Sequence, residues 1–274
     1  MNCYNFKQMH LNNNNLLNNS VDATYVIHLE NNGRLNSIIE QLQFFQPTKQ
    51  VFILFNKGFK KCKKDSHIIS SNTDLVDAYF KIFEHSNENY FNNILILEDD
   101  FIFNKQIKNK VICDDINNFI LNKNEEEFIY YLGCLPFFQN KYSGNHNIVL
   151  ISGGTHAVIY SKKLIDNTIL KMDKKIIVDW DLETKFFKKY MYNKPLCYQL
   201  FPETENYNNW YSPLKFDVYT VKFLMKQNKL DENVEPGYSN FYYWSEILTY
   251  FLYILLLFII FIILKKIYLR KINE

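Results

Sequence analysis

Short apolar runs alternate with amphipathic segments along most of the chain. Runs such as Ala23–Leu29, Val51–Phe55 and Ile94–Leu97 are rich in Val, Ile, Leu and aromatic residues, as in strands buried on both faces. Between them, apolar residues recur at helical spacing over Leu35–Leu42 and Asp74–His85. Strands that alternate with helices predict an α/β fold, in which helices cover a parallel or mixed sheet.

The same alternation continues toward the C-terminus. The pattern predicts strands at Phe128–Leu132 and His156–Tyr160, and helices at Ile107–Leu121, Lys162–Leu170 and Asp181–Tyr190. Residues 196–244 are rich in Pro, Asn and aromatic residues with weak periodicity, so we expect a loop-dominated cap there. Residues 1–21 are rich in Asn and predict a disordered leader, which leaves 22–240 as the folded domain.

A long apolar stretch lies near the C-terminus. Ile247–Leu264 contains no charged residue and measures about 27 Å as a helix, against about 30 Å of bilayer hydrocarbon. Aromatic residues precede this stretch and Lys265 and Lys266 follow it, as at membrane interfaces. We therefore predict a single-pass membrane anchor over 241–274 with its span at 247–264.

Two rules conflict over the orientation of this anchor. The basic tail belongs in the cytoplasm by the positive-inside rule, whereas a chain without an N-terminal signal inserts a C-terminal span tail-first. We expect the second arrangement, with the body facing the cytosol.

Composition indicates which class of partner is not favoured and whether the cysteines are reduced. The 31 Lys and Arg residues against 29 Asp and Glu give a net charge of +2, which does not favour nucleic acid as a partner. The 5 Cys residues are odd in number and form no Cys-x-x-Cys pair, which predicts reduced, mostly buried thiols.

Three carboxylates close the apolar run at Ile94–Leu97. Open α/β sheets bind ligands at the carboxyl ends of their strands, where Glu98, Asp99 and Asp100 are expected to lie. Alternation along a strand places Glu98 and Asp100 on one side, so that they can converge on Mn²⁺ or Mg²⁺, while Asp99 anchors the turn. The alternative is a solvated acidic turn.

Other residues of suitable chemistry follow predicted strands. Arg34 comes just after the first strand in a chain whose other basic residues are nearly all Lys, and its guanidinium suits a diphosphate. Gly154 can let the backbone approach a ligand, and His156 can assist at a phosphate, although either can be purely structural. Asp179 and Asp181 form a second acidic pair. Asp181 is a candidate for the cap of the following helix, and the other residue of the pair is then a candidate general base. The intervening tryptophan offers a face on which a sugar can stack.

These pieces occur in an order that resembles a known enzyme family. The segments that carry the resemblance are Tyr25–Leu29 with Arg34-Leu35, Ile94–Asp100, Gly154–Ser161, Val178–Leu182 and Pro202–Asn206. Together they are similar to glycosyltransferase family 25 enzymes of the GT-A fold, closest to viral members, from about residue 22 to about residue 240.

The resemblance implies a function and roles for the site. It implies transfer of a hexose from a nucleotide sugar, UDP-galactose or UDP-glucose, to a hydroxyl of a protein or glycan acceptor. It implies that Arg34, Glu98, Asp99, Gly154 and His156 contact the donor, that Glu98 and Asp100 hold Mn²⁺ or Mg²⁺, and that Asp179 or Asp181 is the catalytic base. A metal-dependent phosphohydrolase using the same carboxylates, or an inactive membrane-anchored scaffold, remains as an alternative.

Overall fold

A computed structural model describes residues 2–11, 16–200, 216–230 and 234–272. The main strands are β1 (Tyr4–His10), β2 (Ala23–Leu29), β3 (Gln50–Asn56), β4 (Ile94–Glu98), β6 (Ile129–Ser143), β7 (His146–Tyr160) and β8 (Lys189–Tyr192). A smaller sheet pairs β5 (Phe101–Phe103) with β9 (Cys197–Gln199). The helices are α1 (Leu35–Phe45), α2 (Ser71–Glu88), α3 (Lys110–Leu121), α4 (Lys162–Asn167), α5 (Trp180–Glu183), α6 (Phe216–Gln227) and α7 (Gly237–Ile272).

The main sheet is mixed, with strand order β1-β3-β2-β4-β7-β6-β8. Strands β2, β3 and β4 are mutually parallel, β1 and β7 are antiparallel to their neighbours, and β6 is parallel to β8. The predicted α/β class with a helix-covered mixed sheet is therefore confirmed.

Period-2 alternation distributes the apolar residues between the two faces of the sheet. In β4, Ile94 and Ile96 belong to the core on the side of α2, whereas Leu95 and Leu97 belong to the core on the side of α1 and α3. All four side chains are fully buried. Burial on both faces explains why the run is continuously apolar up to Glu98.

The predicted disordered leader is wrong over residues 4–10. These residues form β1, which pairs with β3 in antiparallel register, and Leu17 and Val21 beyond it are fully buried. Tyr4 and Phe6 pack on the core and supply the apolar contacts that hold this edge strand in place. Asn-rich composition concealed this alternation, and the folded domain begins before residue 22.

The cysteines also differ from expectation. Cys3 and Cys62 form a disulfide, with Cα atoms 5.7 Å apart, that joins the segment before β1 to the loop after β3. The prediction of reduced thiols is wrong for this pair, whereas Cys113, Cys134 and Cys197 are free and buried as expected. Because disulfides persist mainly in oxidising compartments, this pair does not favour the predicted cytosol-facing body. The orientation stays a prediction.

The region after β4 departs most from the predicted elements. The two short strands expected at Phe128–Leu132 and His156–Tyr160 are the outer ends of a long β6–β7 hairpin, which turns at Gly144. The expected helix over Asp181–Tyr190 is wrong, because α5 ends at Glu183 and β8 follows. β8 pairs with both β6 and β7, so sheet pairing overrides the helical spacing. The segment Pro202–Asn206 lies outside the described residues.

Helix α7 is long and apolar enough to cross a membrane, and it contains the predicted span at 247–264. Its first turns are nevertheless part of the folded body. Tyr238, Tyr242, Ser245 and Thr249 are buried at helical spacing, although almost all residues after them are exposed. The predicted boundary at residue 240 is therefore wrong, because packing of the body continues into the helix.

Candidate functional site

The carboxyl ends of β2 and β4 mark a topological switch point. The chain leaves β2 through α1 and enters β3 on one side of β2, whereas β4 lies on the other side. Loops that diverge from neighbouring parallel strands leave a crevice, which is where open α/β sheets bind ligands. A cleft of about 440 Å³ opens at this edge. It is lined by His28, Glu30, Asn31, Gly33, Leu35, Asn36 and Phe55.

Asp99 fastens the end of β4 to the loop between β2 and α1. Its carboxylate accepts hydrogen bonds from the Leu29 backbone N–H at 3.1 Å, from Arg34 Nη1 at 2.5 Å and from the Asn32 amide. Although burial opposes ionisation, His28 and Arg34 hold the pKa of Asp99 below its usual value. The expected turn anchor is therefore present, and Asp99 fixes the orientation of Arg34. Neither Arg34 nor any of the predicted acidic site residues is among the residues that line the cleft.

Glu98 points to the opposite face of the sheet. Its Oε1 accepts hydrogen bonds from the Tyr79 hydroxyl at 2.9 Å and from Thr155 Oγ1 at 2.6 Å. Burial raises the pKa of Glu98 despite these two donors. Sequence reasoning missed both partners, because Tyr79 looked like one apolar residue among several on α2 and Thr155 lies on a distant strand.

Asp100 turns toward the small sheet. Its Oδ2 accepts a hydrogen bond from Gln199 Nε2 at 3.1 Å and lies 4.0 Å from Arg34 Nη1, while its buried Oδ1 has no hydrogen-bond partner among the described residues. Burial, together with the charges of Glu98 and Asp99, raises the pKa of Asp100 to about 8. The charge of Glu98 thus affects the protonation of Asp100, although the two side chains contact different elements.

In the second acidic pair, Asp179 and Asp181, the helix cap is Asp179 and not Asp181. Asp179 caps α5, accepting a hydrogen bond from the Leu182 N–H at 3.2 Å, and it also accepts one from Asn72 at 3.1 Å. Asp181 was the candidate cap, but its half-buried side chain lies near Gly154, whose backbone N–H partly offsets the rise in the pKa of Asp181. The expectation that Asp181 caps the helix is therefore wrong. Asp181 is the member left for acid–base chemistry.

The two acidic segments are close enough to affect each other's protonation. Burial and the charge of Asp179 raise the pKa of Asp181 to about 7, and Glu98 adds to this effect. The charge of Asp179 likewise contributes to the raised pKa of Glu98. Asp181 Oδ1 is buried and has no hydrogen-bond partner among the described residues. Residues about 80 positions apart in sequence thus form one acidic cluster with perturbed protonation, which is typical of functional sites.

Gly154 and His156 lie beneath this cluster in β7. Gly154 has φ of +87°, a conformation that favours glycine, and a Cβ there would meet His156 Nδ1 at 3.2 Å. His156 is fully buried, its Nε2 is 3.4 Å from the Cys197 carbonyl oxygen, and burial lowers its pKa to about 4. A neutral, enclosed imidazole has no surface with which to contact a donor, so the predicted donor-binding role of His156 is not retained.

Trp180 is not available for sugar stacking. It is 2% exposed and packs against Tyr79, Phe83 and Tyr160, with its indole N–H donating to the Tyr160 hydroxyl at 2.8 Å. Its role is to anchor α5 in the core, which sets the positions of the aspartates on either side of it.

The site fits a divalent cation only in part. Among the described residues, no group of three or more His, Cys, Asp or Glu side chains is arranged to hold a metal ion. However, Mg²⁺ commonly binds through one or two carboxylates, completed by water and substrate phosphates. Asp100, with its unpartnered buried oxygen, and Glu98 satisfy this smaller requirement. A two-cation hydrolase site needs more ligands than these.

Comparisons with known proteins give little further guidance. No family model and no curated protein matches the chain. One similar solved structure is A197 from STIV, with 10% identity, 67% of this chain and 87% of that chain covered, and a TM-score of 0.39. Another is apo-UDP-glucose pyrophosphorylase, with 8% identity, coverage of 62% and 72%, and a TM-score of 0.31. Neither likeness is close enough to carry an argument about function.

Proposed function

We propose that the crevice at the carboxyl ends of β2 and β4 binds a nucleotide sugar, UDP-galactose or UDP-glucose, with Mn²⁺ or Mg²⁺. The protein would transfer the hexose to a hydroxyl acceptor. The sheet would then be a GT-A sheet. The observation that supports this proposal is the electrostatic coupling of Asp181 with Glu98, which ends β4 beside a topological switch point of the sheet.

The donor diphosphate would lie between Arg34 and Asp100. Arg34 has five N–H donors and gives one to Asp99, which leaves others to contact phosphate oxygens. Glu98 and Asp100 would hold the cation, which when bound neutralises charge on the leaving diphosphate. Asp99 keeps Arg34 in place while this happens.

Asp181 would act on the acceptor. A carboxyl group with a pKa of about 7 is half ionised near neutral pH and can remove a proton from an attacking hydroxyl as the new bond forms. Asp179, engaged as the α5 cap, would act by positioning Asp181.

Release of UDP from each donor tests the proposal, because water can replace an unknown acceptor. Full-length protein is incubated with UDP-glucose or UDP-galactose and Mn²⁺. General-base catalysis contributes about 10²- to 10⁴-fold, so Asp181→Asn should lower the rate by at least about 100-fold. The matched control is Asp114→Asn, whose exposed side chain pairs with Lys110. Equal rates in wild type and Asp181→Asn would refute the assignment.

A further inference from the structure

Helix α7 is docked on the body well into its apolar stretch. The Gln139 backbone N–H donates to Thr249 Oγ1 at 3.0 Å, and the Gln139 side chain donates to the Tyr242 carbonyl oxygen at 2.7 Å. One residue further along β6, Asn140 Nδ2 donates to the Tyr253 hydroxyl at 2.6 Å. Helix and strand thus run side by side in the same direction, and the contact continues to Tyr253.

This docking overlaps with the predicted membrane span. The predicted span begins at Ile247. Residues 247–253, about 10 Å of helix, therefore contact the body and also belong to the predicted span. The uncharged helix beyond the docked part, Ile254–Leu264, is only about 16 Å long, against about 30 Å of hydrocarbon. A docked α7 can span fully only if the bilayer surface reaches the body at Gln139 and Asn140.

The body exposes apolar side chains at that level. Leu150 and Ile151 in β7 are 43% and 45% exposed. Ile151 pairs with Phe138 and Val149 pairs with Gln139, so both exposed side chains lie within a residue or two of the contact with Thr249. We propose that this part of the β6–β7 hairpin rests in the lipid interface beside α7, with the bilayer as its partner.

Spin-label accessibility tests this surface. Full-length Ile151→Cys protein is labelled with a nitroxide and reconstituted into phosphatidylcholine vesicles, and its relaxation by oxygen and by a water-soluble nickel chelate is compared. The matched control is Tyr90→Cys, because Tyr90 is 85% exposed and precedes β4 at the opposite edge of the sheet. Wild-type protein taken through the same labelling gives the background from Cys113, Cys134 and Cys197, which are buried.

The proposal predicts that the label at position 151 is reached severalfold better by oxygen and severalfold less by nickel than the label at position 90. A label at Leu150→Cys should behave as at 151, which guards against a local misfold. Equal nickel access at 151 and 90 would overturn the proposal, since it would mean that α7 leaves β6 on insertion or that the hairpin stays in water.

Discussion

Asp100→Asn should make the protein more stable at neutral and alkaline pH while removing a cation ligand. The pKa of Asp100 is about 8 in the folded chain, against about 3.9 for an unperturbed Asp. Between these values the folded state binds more protons than the unfolded state, so this residue lowers stability as pH rises from about 4 to about 8. At about 1.4 kcal/mol per pH unit the full effect at pH 7 is about 4 kcal/mol, and sharing of protons with Glu98 reduces it to about 2 kcal/mol.

Urea unfolding of the full chain in detergent micelles at pH 4, 6 and 8 measures this effect. The Asn variant should match wild type near pH 4 and exceed it by more than about 2 kcal/mol at pH 8, with a shallower dependence on pH. Asp114→Asn, at an exposed ion pair, should change stability by less than about 0.5 kcal/mol throughout. A difference between Asp100→Asn and wild type that is the same at pH 4 and pH 8 would refute the reasoning.

Three further substitutions test individual contacts. Replacing Cys3 and Cys62 by Ser should cost up to about 4 kcal/mol, because the disulfide closes a loop of sequence separation 59, and reductant should then have no further effect on unfolding. Gly154→Ala should lower stability by about 1–2 kcal/mol and slow UDP release, because φ of +87° is strained for Ala and the backbone near Asp181 would shift; unchanged rates would contradict this. Tyr79→Phe should cost about 1–2 kcal/mol by leaving Glu98 with one donor fewer, whereas Tyr90→Phe at the exposed surface should be neutral in the same urea titration.

Local pattern was enough to predict most of the sheet centre. β2, β3 and β4 are continuous apolar runs, because helices cover both faces of these strands, and such runs are visible without any knowledge of distant contacts. The turn role of Asp99 followed from alternation alone. The loop from β2 to α1 and the end of β4 were also expected at one edge, because parallel strands bring their carboxyl ends together.

The predictions that the structure does not match concern features that depend on contacts between residues distant in sequence. The helix predicted over Asp181–Tyr190 overlaps the start of β8, whose strand state comes from pairing with β6 and β7. Trp180 was predicted to offer a face for a sugar, although five aromatic rings from other parts of the chain surround it. Thr155, one of the two partners of Glu98, and Gln199, the partner of Asp100, lie on other strands, so no spacing in the sequence indicates them.

The docking of α7 was missed for a related reason. Composition indicates that a helix is apolar enough for lipid, but it does not show which face meets protein. Ser245 and Thr249 are small polar residues whose hydroxyl groups bond to β6 and to the helix backbone, and they read as ordinary membrane-helix residues in sequence.

Calorimetric titration of Mn²⁺ into the full-length protein with UDP, at pH 7 in two buffers of different ionisation enthalpy, tests the central claim most directly. If Glu98 and Asp100 hold the cation, binding must displace the proton that Asp100 retains at this pH, so proton release should accompany binding. Asp100→Asn should lose most of the affinity and the proton release, while Asp114→Asn keeps both. Binding by Asp100→Asn with wild-type affinity, or no binding of Mn²⁺ and UDP by the wild type, would contradict the account.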